Sequence, residues 1–526
     1  MYTRYDNFRL AARSAGREID RNLAPLLEKR FQLAPGSAAS YTILSRRIDS
    51  RGREPILDYK LLVEAPELLP GGSAATPDEL AALFPAELPI PERITLPINP
   101  IVVGTGPAGI FAAYLLAASG VQPVILERGS PIEERVAGQR RFLRDRKLDE
   151  ADNLLIGEGG AGAFSDGKLY TGTRDRLGRL VIDTLVQMGA APELRYRARP
   201  HVGSDYLHKI GVNFRHRIEA LGGSFQFHAE VVDVLVESGR CVGVVLADGK
   251  VLRAPAVVLA PGLGGRKLLK HLAGKIACVP KPFQIGCRIE HPQEWVDLRQ
   301  YHGSRPAALE AAEYHLVSGR HPGAPQMSSF CMCPGGRIVN ASAWCGQSAT
   351  NGVSDYARSG EFANSCLIAT LLPEHYGDIA SAWERIEHYE KAIFAAGGGD
   401  YSFPAQDAAA FLAGRPGLSG EITSCETGIV SGRLDRLIDP FLRTALNRAL
   451  RDFDRKMPGF IRYGKLVGME SCVSSPVRVV RNERNETSLP GLFVCGEGVG
   501  GAGGIVSGAC DGMRTALALL QSPGKV

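Results

Sequence analysis

Apolar and polar positions change rhythm several times along this chain, and the changes divide it. Residues 17–31 carry apolar side chains at helical spacing, while 41–48 and 57–65 alternate as strands around the turn Arg51-Gly52-Arg53. Residues 1–97 are therefore expected to form a small α+β domain. Its tail, 66–97, rich in Pro, Ala and Gly with a short helix at 77–83, reads as a linker. From Ile101 an apolar strand runs into a glycine turn, the apolar run 110–118 follows, and a second strand, 121–127, ends in an acid. The charged stretch 131–148 has the spacing of a surface helix. Residues 203–221 read as a helix and 224–236 as one long strand, and a hairpin through 247–250 leads into 251–259. Between 276 and 463 the pattern predicts strands at 283–289 and 336–341 and helices at 356–371 and 379–396. The chain closes with a buried strand, a further glycine turn and the apolar helix 506–520.

The strand, turn, helix, strand and acid around Ile101 are the parts of a βαβ nucleotide site, and each has a physical task. Gly104 permits the tight turn, Gly106 lets backbone approach a pyrophosphate, and Gly109 lets helix and strand pack closely. Pro107 and Ala108 open the helix, whose N-terminal N–H groups favour phosphate. Glu127, with Arg128 beside it, stands near the offset of the acid that holds a ribose hydroxyl.

A second glycine-rich stretch, 157–168, includes Gly160, Ala161, Phe164 and Ser165 and ends at Lys168. Backbone so poor in Cβ atoms can lie against a flat ring. Lys168 is a candidate for charge near a flavin ring, or else a lysine on a surface loop. His201, just before the 203–221 helix, is a second catalytic candidate. A third glycine turn at Gly262 would return the chain to the nucleotide. Gly496 and Glu497, followed by Gly503, Gly504 and Ile505, form another strand-end cradle. There Glu497 would bond a cofactor hydroxyl, and the Gly504 and Ile505 N–H groups would face developing negative charge. No second strand-GxGxxG-helix unit with a trailing acid appears, so a pyridine nucleotide would visit without a domain of its own.

Composition narrows the function classes. With 526 residues the chain should hold more than one domain, and 44% apolar with 22% charged residues is ordinary for a soluble globular protein. Basic residues number 61 against 56 acidic, a net charge of +5 without a long basic run, which makes no case for nucleic acid or membrane partners. Residues 1–10 lack the apolar core of a signal peptide, and a cytoplasmic enzyme is expected. Eleven cysteines without a repeating period suit reduced thiols. Cys331 and Cys333 are most simply small apolar residues of a strand, since a bridge between extended residues two apart is strained; a redox pair is the sharper alternative. No metal site is expected, because neighbouring His315 and His321 lack ligand spacing.

Gly104 to Gly109, the 157–168 loop, Cys331-Met332-Cys333-Pro334-Gly335-Gly336 and Gly496-Glu497-Gly498 together resemble the uncharacterised FAD-dependent dehydrogenases of bacteria and plastids, within the glutathione-reductase-type flavoproteins. The likeness extends to Arg46-Arg47-Ile48-Asp49 and Arg199-Pro200-His201-Val202-Gly203. It implies an α/β chain: a Rossmann-type FAD-binding domain in two parts, 98–275 and 464–526, with an inserted α+β substrate domain, 276–463. Extended FAD would place adenine near Val231 and the flavin between 157–168 and 501–505. Gly501, Cys472 and Cys425-Glu426 depart from the resemblance where an aromatic, an arginine and Tyr-Arg are expected, which implies a different substrate. The expected function is an FAD-dependent oxidoreductase passing hydride between a small organic substrate and flavin N5, in a specialised biosynthetic pathway, with NAD(P)H as a transient reductant. Alternatives are an NAD(P)H-dependent flavin monooxygenase and a flavin-containing RNA- or protein-binding module docking through Arg46 and Arg47.

Overall fold

The computed structural model describes residues 1–91, 99–169 and 176–521; the end of the expected linker, 92–97, lies outside them. Five short strands form a parallel sheet in the order Leu492–Val494, Val257–Leu259, Ile101–Val103, Val124–Leu126, Ser224–Gln226. Its four strands other than the edge strand Ser224–Gln226 are apolar throughout because both faces are covered. Val102, Ile125, Val258 and Phe493 pack against the helices Pro107–Ala118, Arg176–Gln187, Ser204–Ala220 and Ile505–Leu520. Ile101, Val103, Val257 and Leu259 point to the other side. The Pro107–Ala118 helix is apolar all round and buried from Ala108 to Ala117, as an interior helix must be.

Residues 224–236, expected as one strand, are two. Ser224–Gln226 completes the parallel sheet, the chain turns at His228 (φ 54°), and Val231–Glu237 starts a three-stranded antiparallel sheet with Arg240–Leu246 and Val251–Arg253. The expected strand 251–259 is likewise shared between two sheets. Pairing partners far along the chain decided both breaks.

A six-stranded sheet spans the region after Ile276, in the order Met327–Cys333, Phe362–Leu371, Phe283–Pro292, Lys465–Glu470, Phe403–Asp407, Ile429–Ser431. Here the expected helix 356–371 is wrong: Phe362–Leu371 is a strand paired on both sides. A run buried on both faces has no period to distinguish strand from helix. Its polar residues mislead further, since Asn364 and Ser365 are buried to meet Arg288 and Tyr314. The helix Ile379–Ala396 forms as expected, capped by the Asp378 carboxylate, which accepts from Ser381 N.

The N-terminal sheet has the order Tyr41–Asp49, Ile56–Glu64, Tyr2–Ala11, Ser73–Ala74, with the helix Ala24–Phe31 against it. The first strand, with its alternating residues, escaped the sequence reading. Arg46 also departs from the expected solvated edge. It is buried, donates to Ala308 O at 3.0 Å and faces Asp20 and Glu310, while its backbone pairs with Tyr196 and Ala198. Arg46 therefore docks this sheet onto the rest of the molecule and offers nothing to an outside partner; Arg47 stays exposed.

Candidate cofactor site and its cysteine wall

The carboxyl ends of Ile101–Val103, Val257–Leu259 and Leu492–Val494 open into one cleft of about 570 Å³, a size suited to a cofactor. Each glycine of the first turn does what its position demands. Gly104 has φ 95°, and a Cβ there would lie 2.3 Å from Ala260 O; a Cβ on Gly109 would lie 1.9 Å from Gly104 O. Gly106 differs, because a Cβ on it would meet nothing within 4 Å. It is glycine beside open space, at the N-cap of a helix with no acidic residue in its first turn. A second helix, Ile505–Leu520, aims its N-terminus into the same cleft from Gly504 (φ 85°). Two helix N-termini facing one cavity favour an anion there, so the residues present fit a dinucleotide.

Most of the expected cofactor residues line this cleft together: Gly104, Gly106, Pro107, Ala108, Glu127, Arg128, Gly160, Ala161, Ser165, Val231, Gly262, Gly496, Glu497, Gly503, Gly504 and Ile505. Gly109 acts one layer behind, in packing. Phe164 turns away, onto His208 and under the Arg135 guanidinium, 4.6 Å from its ring centre. Glu127 holds more than a ribose role requires. One oxygen accepts from Thr105 N and Oγ1 at 3.0 and 2.7 Å, the other from Gly129 N and Gly157 N at 3.0 and 3.1 Å. It ties the first glycine turn to the second glycine loop, and a ribose hydroxyl would compete for a carboxylate already satisfied. Glu497 is tied at one oxygen, by Ser475 N at 3.1 Å and Lys281 Nζ at 3.4 Å; burial raises its carboxyl pKa.

The helix Ile132–Asp145 is a surface helix as expected, and its buried face supplies a clamp. Arg135 is buried and donates to the carbonyls of Asn153, Leu154, Glu158 and Gly160, fixing the second loop from behind. Gly157 (φ 113°) makes room, since a Cβ there would lie 2.3 Å from Arg135 Cδ. Burial lowers this guanidinium to about 10.

Lys168 and His201, the two catalytic candidates, sit off the cleft wall. His201 is buried, its Nε2 bonded to Tyr356 O at 3.0 Å, and burial together with Arg358 depresses its pKa, which suits a neutral packing histidine. Lys168 is neither a surface lysine nor on the cleft wall. Its Nζ lies 2.8 Å from Asp166, 3.4 Å from Cys333 Sγ and 3.9 Å from Cys331 Sγ. Burial opposes its charge, but Asp166 outweighs this and holds it protonated. Cys331 does line the cleft, with Phe330, Asn351, Glu470 and Cys472. Its thiol sits well below the usual thiol range, because Cys333 hydrogen-bonds to it and, against burial, Lys168 and Arg288 favour the thiolate. Cys333, fully buried, is raised by the same partnership, and burial raises Cys472 to about 12. The sequence marked Lys168 at the end of a glycine loop and the Cys-x-Cys separately; that they meet across some 160 residues is tertiary.

Residues 282–472 match the family described as FAD-dependent protein, C-terminal domain-like. A protein of Clostridium beijerinckii named only as uncharacterized is 37% identical over 431 residues, spanning 80% of this chain and 81% of its own. This chain belongs to the same family. Among solved structures, glycerol-3-phosphate dehydrogenase from Bacillus halodurans, complexed with FAD, aligns at 10% identity and TM-score 0.38 over 81% of this chain and 64% of its own. Glycine oxidase from Bacillus cereus aligns at 11% and 0.32 over 80% and 97%. The matched segment 282–472 contributes Phe330, Cys331, Asn351, Glu470 and Cys472 to the cleft. Among the described residues no helix is long and apolar enough to cross a membrane, and no group of three or more His, Cys, Asp or Glu could hold a metal ion.

Proposed function

We propose that the protein is an FAD-dependent oxidoreductase acting on a small organic substrate. The observation that carries this is the open space at Gly106, between two helix N-termini, in a chain with an FAD-dependent protein segment. In this assignment the first turn of Pro107–Ala118 takes the pyrophosphate and the Val231 strand flanks the adenosine. Gly160 to Ser165 and Gly503 to Ile505 border the ring. The chemistry that bound FAD supplies is hydride-level transfer at N5.

The chain's own contribution is position, charge and exclusion of water. Glu127 and Arg135 hold the two glycine loops in register, Glu497 offers its second oxygen, and the Ile505–Leu520 helix end favours negative charge. Residues 98–275 and 464–526 serve as the FAD-binding parts and 276–463 as the substrate domain, closing the cleft opposite the cradle. NAD(P)H enters as a transient reductant, since no second nucleotide unit is present in the sequence. The test is to denature the purified protein and identify the released cofactor by chromatography. Stoichiometric FAD is expected; FMN, or a colourless protein that stays so after incubation with FAD, would overturn the assignment.

A further inference from the structure

The Met327–Cys333 strand is irregular where it reaches the cleft. Its pairing with Phe362–Leu371 steps from Phe330 opposite Cys366 to Cys333 opposite Asn364, so three residues advance against two. Cys331 occupies this bulge with φ 46°, a left-handed conformation unusual for a residue with a Cβ. Bulges re-aim side chains beside active sites. The effect here is a division of labour between two thiols. Cys331 is half-buried on the cleft wall, Cys333 is fully buried behind it, and the Lys168 ammonium lies within 4 Å of both.

We propose that Cys331 and Cys333 form a reversible dithiol–disulfide couple whose substrate is a small organic disulfide, with Cys331 the attacking thiolate and Cys333 the resolving thiol. Cys331 attacks one sulfur of the disulfide RS–SR, forming Cys331–S–S–R and expelling one RS⁻, which takes up a proton. Cys333 then loses its proton and attacks Cys331 Sγ, closing the internal disulfide and expelling the second thiolate. The substrate gains two electrons and two protons, and the protein loses both. The internal disulfide returns to the dithiol by taking two electrons and two protons from reduced flavin; only this return rests on the FAD assignment above.

The surroundings fit each half. Lys168 and Arg288 favour the Cys331 anion, whereas Asp166 opposes it and Glu470 lies on the same wall. A depressed thiol pKa is what an attacking cysteine needs near neutral pH. Strand residues two apart lie about 6.6 Å apart, at the upper end of the ~4.4–6.8 Å that a bridge spans. The bulge at Cys331 departs from that extended spacing, and a couple that turns over needs a bridge that can be reduced, not a permanent crosslink.

The experiment uses the full-length protein as purified, with its FAD content measured first. It is reduced, freed of reductant, exposed to hydroxyethyl disulfide near neutral pH, and mapped by peptide mass. The wild-type peptide carrying both cysteines should lose two hydrogens. Cys333→Ser should hold a stable mixed disulfide at Cys331, and Cys331→Ser should show neither change. Lys168→Met, with circular dichroism confirming its fold, should slow the Cys331 reaction about tenfold or more, the difference shrinking at alkaline pH. An unmodified Cys331 under conditions that modify the exposed Cys345 would overturn the proposal, as would absence of an adduct in folded Cys333→Ser. A protein without FAD that still forms the couple defeats the flavin assignment alone, and a protein with FAD whose Cys331 does not exchange defeats this proposal alone.

Discussion

Lys168 Nζ lies 2.8 Å from Asp166 Oδ2, and both side chains are withdrawn from solvent, with 13% and 1% of their surface exposed. Arg358 reaches the same oxygen at 3.1 Å. One carboxylate thus pairs with two buried cations: Lys168, which lies behind Cys331, and Arg358, which also faces Glu313 at 3.8 Å. Burial alone would raise the Asp166 carboxyl; Lys168 and Arg358 override it and hold its pKa below the ordinary carboxylate range. A depressed folded-state pKa stabilises above the unfolded value, about 3.9 for Asp, and that stability is lost as pH falls below it.

Asp166→Asn should therefore cost about 3–5 kcal/mol at neutral pH, the range for breaking a buried ion pair from one side. In urea unfolding, the gap from wild type should narrow as pH falls below the Asp value. A constant gap from neutral pH into acid would show that the carboxylate charge is not what stabilises this corner.

Gly106 and Gly109 separate binding from folding. Gly106→Ala has a permitted φ of −63° and space for its Cβ, so the apoprotein should keep its melting temperature within a few degrees, an effect of about 1 kcal/mol or less. Its FAD occupancy should fall sharply, because the methyl group takes the space assigned to the pyrophosphate. Gly109→Ala instead drives a methyl group to 1.9 Å from Gly104 O and should destabilise the fold itself. Thermal melts beside flavin content check both; full FAD occupancy in Gly106→Ala would remove the pyrophosphate from this turn.

Arg46→Ala removes the cation shared by Asp20 and Glu310 and frees Ala308 O, while Arg197 stays on Glu310 at 2.7 Å and the Tyr59 hydroxyl on Asp20 at 2.7 Å. A loss of about 1–3 kcal/mol is expected, with early proteolytic cleavage between the N-terminal sheet and the remainder. Limited proteolysis followed by mass mapping reads this out, and an unchanged digestion pattern would show that Arg46 does not hold the interface.

The sequence by itself determined the cradle. Gly104, Gly106 and Gly109, the apolar strands around them and the apolar helix ends carry local requirements of backbone conformation and contact, and these are written in residue type and spacing. The same locality made the Ile379–Ala396 helix legible from its period. What only the tertiary structure decided were relations between distant segments. Phe362–Leu371 is a strand because partners on both sides cover it, and Arg135 is a clamp because a glycine loop folds over it. Arg46 is buried because a second segment meets its edge. Lys168, expected beside a ring or on the surface, stands behind Cys331 and Cys333 because a bulge in one strand turns those sulfurs toward a loop from another part of the chain. Charge and thiol chemistry depend on which groups are brought within about 4 Å, and no local pattern records that.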